Sequence, residues 1–71
     1  MSMSRKDYTL IAATLKARRE LILHDRAVEV GIRGIAVTAI DHIARDLSIN
    51  LAVENSAFDR QRFLTACGVS S

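Results

Sequence analysis

Residues 27–37 read AVEVGIRGIAV, and the fold turns on whether this stretch is strand, turn or helix. Val28, Val30 and Ile32 alternate with Glu29, Gly31 and Arg33, as the side chains of a half-buried strand would. The longer pattern points the other way. Ile32, Ile35, Ala36, Ala39, Ile43, Leu47 and Leu51 lie three or four residues apart, which is the repeat of one helix face. Glu29 with Arg33 and Asp41 with Arg45 add i,i+4 pairs in the favourable order. Asp25 follows a break in the pattern at His24 and is placed to cap this helix. Val37, Ile40 and Ala44 broaden the apolar stripe beyond what one neighbour covers. The expectation is that a preceding helix covers Ile32, Ile35, Ile43 and Leu47, leaving Val37, Ile40 and Ala44 as an interaction face.

Upstream, Ser4 and Asp7 are spaced as a capping box and start a first helix. Its core stripe is Tyr8, Ile11, Ala12, Leu15 and Ile22, widened by Leu10, Ala17 and Leu21. Downstream, residues 60–67 are marked at both ends. Asp59 is the N-cap, with Phe58 before it and Phe63 at the fourth helical position to form a hydrophobic staple. Gly68 suits the left-handed residue after a helix, and Val69 falls where a Schellman closure packs it against Leu64. A helix shorter than about 12 residues is marginal in water. This one must therefore dock, and Phe58, Phe63, Leu64 and Cys67 form its docking face. The predicted fold is all-α: a hairpin of two longer helices plus a short capped C-terminal helix, in one domain spanning 1–71.

Composition bounds the function. A chain of 71 residues buries only about 60% of its unfolded surface, so its stability margin is thin and self-association is a common remedy. Nothing in the sequence reads as a membrane span or a signal peptide, and a lone cysteine builds no internal disulfide. The expected location is the cytoplasm, with the true start at either Met1 or Met3. The net charge of +2 is unevenly spread. Residues 1–26 are basic, through Arg5, Lys6, Lys16, Arg18, Arg19 and Arg26 against three acids, whereas residues 27–54 set Arg33 and Arg45 against four acids.

Two motifs in the decisive stretch bear on nucleic acid. Ala27, Gly31, Val37 and Ile40 have helix-turn-helix spacing, but the reading helix would then present Ile35, Ala36, Thr38, Ala39 and His42. Base edges are read mainly by Arg, Lys, Asn and Gln. VGIRGIAV also has the G-x-x-G spacing of a KH loop, without the strands that a KH sheet needs. The structural alternative makes Gly31 and Gly34 a helix-helix turn or a close-packing point. No residue set suggests catalysis or a cofactor. Cys67 sits at the negative end of a helix dipole, which disfavours a thiolate. His24 and His42 have no metal-ligand spacing, and Asp41, Asp46 and Glu54 match no acid-base template.

RKDYTLIAATLKARR (residues 5–19) and NSAFDRQRFLTACG (residues 55–68) resemble the two ends of a group of small proteins from tailed phages and prophages. Members open on Lys-Asp-Tyr before an apolar run and close on Asn-Pro-x-Phe-Asp-Arg-x-Arg-Phe-Leu-x-Ala-Cys-Gly. Ser56 stands where that pattern has proline, and the Ile-rich middle lies outside the resemblance. The resemblance implies a phage or prophage setting and no particular chemistry. Two functions follow as expectations. The first is a non-enzymatic helical interaction module, a homodimer, that binds and modulates a host, defence or phage protein. The second is a small nucleic-acid-binding regulator with a degenerate helix-turn-helix, using Lys16, Arg18, Arg19, Arg60 and Arg62 on phosphates.

Overall fold

The computed structural model describes residues 3–69, so Met1, one of the two alternative starts, lies outside it. The chain is all-α: α1 spans Arg5–Leu23, α2 spans Val30–Glu54 and α3 spans Arg60–Ala66. The two long helices form a hairpin, and α3 closes one end against both of them. The result is a rod of 40 × 19 × 18 Å.

The alternation in residues 28–33 is too short to compete with the helical repeat that follows it. With no strand among the described residues to pair with, Val30 to Glu54 form one uninterrupted helix. Gly31 and Gly34 both lie inside α2, and a Cβ on either would meet open space, so neither is a turn nor a close-packing point. The expected cap is displaced as well. Asp25 Oδ1 accepts the Ala27 N–H at 3.0 Å and shapes the loop, while α2 begins after Glu29, which makes no side-chain cap.

Arg33 does not use its i,i+4 spacing to Glu29. Its guanidinium reaches back over the loop, donating to the carbonyl oxygens of Val28 at 2.9 Å and Leu23 at 3.3 Å. The second contact satisfies a carbonyl in the last turn of α1 with a cation, the charge favoured at that end of a helix. Arg19 Nε donates to Asp41 Oδ1 at 2.9 Å farther along the same α1–α2 seam.

The central cluster joins Ala12 of α1, Ala44 of α2 and Phe63, Leu64, Cys67 and Val69 from the tail. Ala12 and Ala44 are small and almost wholly buried, which lets the two long helices approach closely. Tyr8, Ile11, Leu15, Leu47, Leu51 and Phe58 ring the cluster. The first-helix stripe is as expected at Tyr8, Ile11, Ala12, Leu15 and Ile22, but Leu10, Ala17 and Leu21 are exposed and do not widen it.

The tail follows its punctuation closely. Asp59 Oδ1 accepts the Arg62 N–H at 3.0 Å, and the Phe58 and Phe63 ring centroids lie 5.4 Å apart. Gly68 has φ of 82°. Its N–H donates to Thr65 O and the Val69 N–H to Leu64 O, both at 3.0 Å. That pair of bonds is the Schellman closure, and it brings Val69 into the core beside Leu64.

Candidate interaction face

The stripe chosen by size is not the face that α2 buries. Val37 and Ile40 are each only 8% exposed and Ala44 is 0% exposed, so the three residues expected to form an interaction face are packed inside the chain. Conversely, Ile35 is 73% exposed, and Ile32 and Ile43 are about half exposed. Over the middle of α2 the buried face runs one residue later than expected at each turn, a rotation of about 100° about the helix axis. Close approach is the physical reason. Ala44 and Ser48 fit against α1 and α3 where isoleucines would hold the helices apart, and helix contact selects the face that fits over the face with the largest side chains. Ser48 is wholly buried, and its hydroxyl donates to Arg45 O at 2.7 Å and accepts from Arg60 Nε at 3.4 Å. Leu47 and Leu51 remain at the edge of the core, as expected.

The rotation leaves an apolar band on the outer side of α2. Ile32, Ile35, Ala39, His42, Asp46, Ile49 and Val53 are spaced alternately three and four apart and are all exposed. Val53, at 79%, is the most exposed of its large aliphatics. This is a heptad seam about 31 Å long at 1.5 Å per residue, facing away from α1 and α3. Ile43 and Asn50 border it on one side, Thr38 and Arg45 on the other. The Ile-rich middle was visible in the sequence, but its outward direction was not, since periodicity alone does not say which of two neighbouring stripes the rest of the fold covers.

A second feature lies at the α3 end, where residues 5–19 and 55–68 converge. Tyr8 and Phe58 stack edge-on with centroids 4.8 Å apart, and Asn55 Nδ2 donates to Tyr8 Oη at 3.4 Å. Around them is an open groove of about 460 Å³ with Arg5 and Arg62 in its lining. Sequence reasoning found the staple but missed that Tyr8, fifty positions upstream of Phe58, completes the same aromatic cluster.

The remaining candidates do not assemble into a site. Of the five cations considered for phosphate contact, Arg19 is held by Asp41 and Arg60 by Ser48. Lys16 lies along Gly68, Arg62 lines the groove and Arg18 is exposed on α1. The helix-turn-helix has lost its turn, because Ala27 is in the loop while Gly31, Val37 and Ile40 share one continuous helix. The G-x-x-G loop is absent for the same reason. Cys67 is buried, and desolvation raises its thiol pKa above the ordinary value. Among the described residues, no three His, Cys, Asp or Glu side chains are grouped to hold a metal ion, and no helix is long and apolar enough to cross a membrane. Comparison with family models, curated proteins and solved structures gave no match.

Proposed function

We propose that this chain is a small helical interaction module of phage or prophage type, which binds and modulates a host, defence or phage protein in the bacterial cytoplasm and acts by contact, with no catalysis of its own. The observation that carries the reading is the outer face of α2, where large aliphatic side chains stand in solvent although the fold has two other helices available to cover them. Contiguous apolar surface of this kind on a small protein tends to mark a place where another macromolecule sits. The phage setting rests on the segments 5–19 and 55–68.

Affinity capture from bacterial lysate tests the reading when three baits are compared: the native chain, Ile35→Asp on the outer face of α2, and Leu10→Asp on exposed α1. A protein retained by the native chain and by Leu10→Asp, but lost with Ile35→Asp, is the expected result. Identical capture by all three baits would overturn the assignment to the α2 face.

A further inference from the structure

We propose that the outer seam of α2 pairs with the same seam of a second copy of this chain, antiparallel, about a two-fold axis level with Ala44. This rests on the reading of that face as the contact surface and names what covers it.

The pattern of the seam carries the argument. Antiparallel pairing at this level sets Ile35 opposite Val53 of the second copy, Ala39 opposite Ile49, and His42 opposite Asp46, each pair occurring twice by symmetry. Apolar side chains meet apolar ones, and the small Ala39 faces the larger Ile49. The two polar residues, in the middle of an otherwise apolar seam, meet each other: an imidazole N–H donates to a carboxylate whether the ring is neutral or charged. The polar layers thus fall at the centre of the pairing, where a single polar position sets register and orientation in helical pairs.

Other pairings are worse by inspection. A parallel, in-register pair sets Asp46 against Asp46 and His42 against His42, which is like against like. Sliding the antiparallel pair one heptad places Asp46 against Ile35 in one direction and against Ile49 in the other, desolvating a carboxylate with no partner. Among these arrangements, only one register pairs the seam from Ile35 to Val53 with no polar group facing an aliphatic one; Ile32 falls level with residue 56, beyond the end of α2. On the flanks, the same axis brings Ile43 near its own symmetry mate, extending the apolar contact along one side, and Arg45 near its own mate on the other, where the Asp46 carboxylates of the polar layers lie between the two guanidinium groups and offset their like charge. An isologous contact of this kind needs a single self-complementary surface, which the seam supplies.

Two measurements test this. Sedimentation equilibrium from low micromolar to near-millimolar concentration should show the mass rising from one chain to two. Ile35→Asp should hold it at one chain with the helical circular dichroism unchanged. A strictly monomeric native chain overturns the second copy, and so does loss of helix in Ile35→Asp, which would place that residue in the core. Orientation is read by oxidative cross-linking. The double variant Ile35→Cys/Val53→Cys should form a covalent dimer, and Ile35→Cys alone should not, because the two copies of residue 35 would be about 27 Å apart along the axis and a disulfide spans at most about 7 Å between Cα atoms. Native Cys67 is buried and serves as its own control. Cross-linking by Ile35→Cys alone overturns the antiparallel arrangement. If the native chain is monomeric yet Ile35→Asp still loses a captured protein, the second copy fails and the interaction reading stands; a dimer that captures nothing gives the reverse.

Discussion

Arg19 Nε and Asp41 Oδ1 are 2.9 Å apart, joining the C-terminal part of α1 to the middle of α2 with each side chain about one-fifth exposed. Asp41 thus serves a neighbouring helix in addition to its place in the α2 sequence. Its partial burial keeps the pair out of the class of surface ion pairs that contribute almost nothing, while the remaining solvent access limits its strength. Asp41→Ala is expected to destabilise the fold by about 1 to 2 kcal/mol, part of it from leaving Arg19 without its partner. Urea unfolding of the single and double variants measures this, and a coupling near zero would show that water already supplies what each group needs.

The aromatic staple contributes more. Phe63 is nearly fully buried in the central cluster and touches Phe58, which in turn packs on Tyr8. Phe63→Ala is expected to cost about 3 to 5 kcal/mol, a large part of the stability of a domain this small. Phe58→Ala should cost less, since that ring is only half-buried. Removing residues 59–71 deletes Phe63, Leu64, Cys67 and Val69 together and should abolish cooperative melting. A sharp thermal transition in that truncated chain would show that the hairpin stands without its tail.

Two glycines should respond in opposite directions. Gly68 holds a φ of 82°, so a Cβ there is strained even though the nearest side-chain atom would be 3.6 Å away. Gly68→Ala is expected to lose about 1 kcal/mol by this backbone cost. Gly34 lies within α2 with open space around its missing side chain. Gly34→Ala should therefore gain about 0.5 to 1 kcal/mol by reducing the freedom of the unfolded chain. Shifts of the same sign in the two variants would contradict these backbone conformations.

The sequence was most legible where local chemistry decides the structure. Asp59, Phe58 and Phe63 mark the start of α3, and Gly68 with Val69 marks its end, because a cap and a Schellman turn depend on residues adjacent in the chain. Helix identity in residues 30–37 needed the longer window, since the short alternation and the helical repeat overlap there. The buried face of α2 was not legible. Ile35 and Ile43 outweigh Ala44 and Ser48 on any hydrophobic scale, yet close approach to Ala12 and the room taken by Phe63 favour the small side chains. The targets of Arg33 and Arg19 were hidden for a related reason: an i,i+4 neighbour is visible in the sequence, whereas Leu23 O and Asp41 become partners only once the hairpin closes.

Cys67 gives the fold a predictable response to alkali. Burial withholds water from the thiolate and raises the thiol pKa above its ordinary 9.0, so the folded chain keeps a proton that the unfolded chain releases. Stability falls with pH wherever the folded state binds more protons. The contribution is complete below the ordinary value and is lost as the pH climbs from there through the folded pKa. Urea midpoints should accordingly drop more steeply above pH 9.0 for the native chain than for Cys67→Ala, which has no thiol to ionise. The Ala variant will be less stable throughout, because it empties part of the core, and the comparison rests on the slopes. Parallel pH profiles would mean that the thiolate is tolerated in the folded state. Labelling with a thiol reagent gives an independent check: under native conditions Cys67 should react no faster than the core opens, and rapid labelling at neutral pH would contradict its burial.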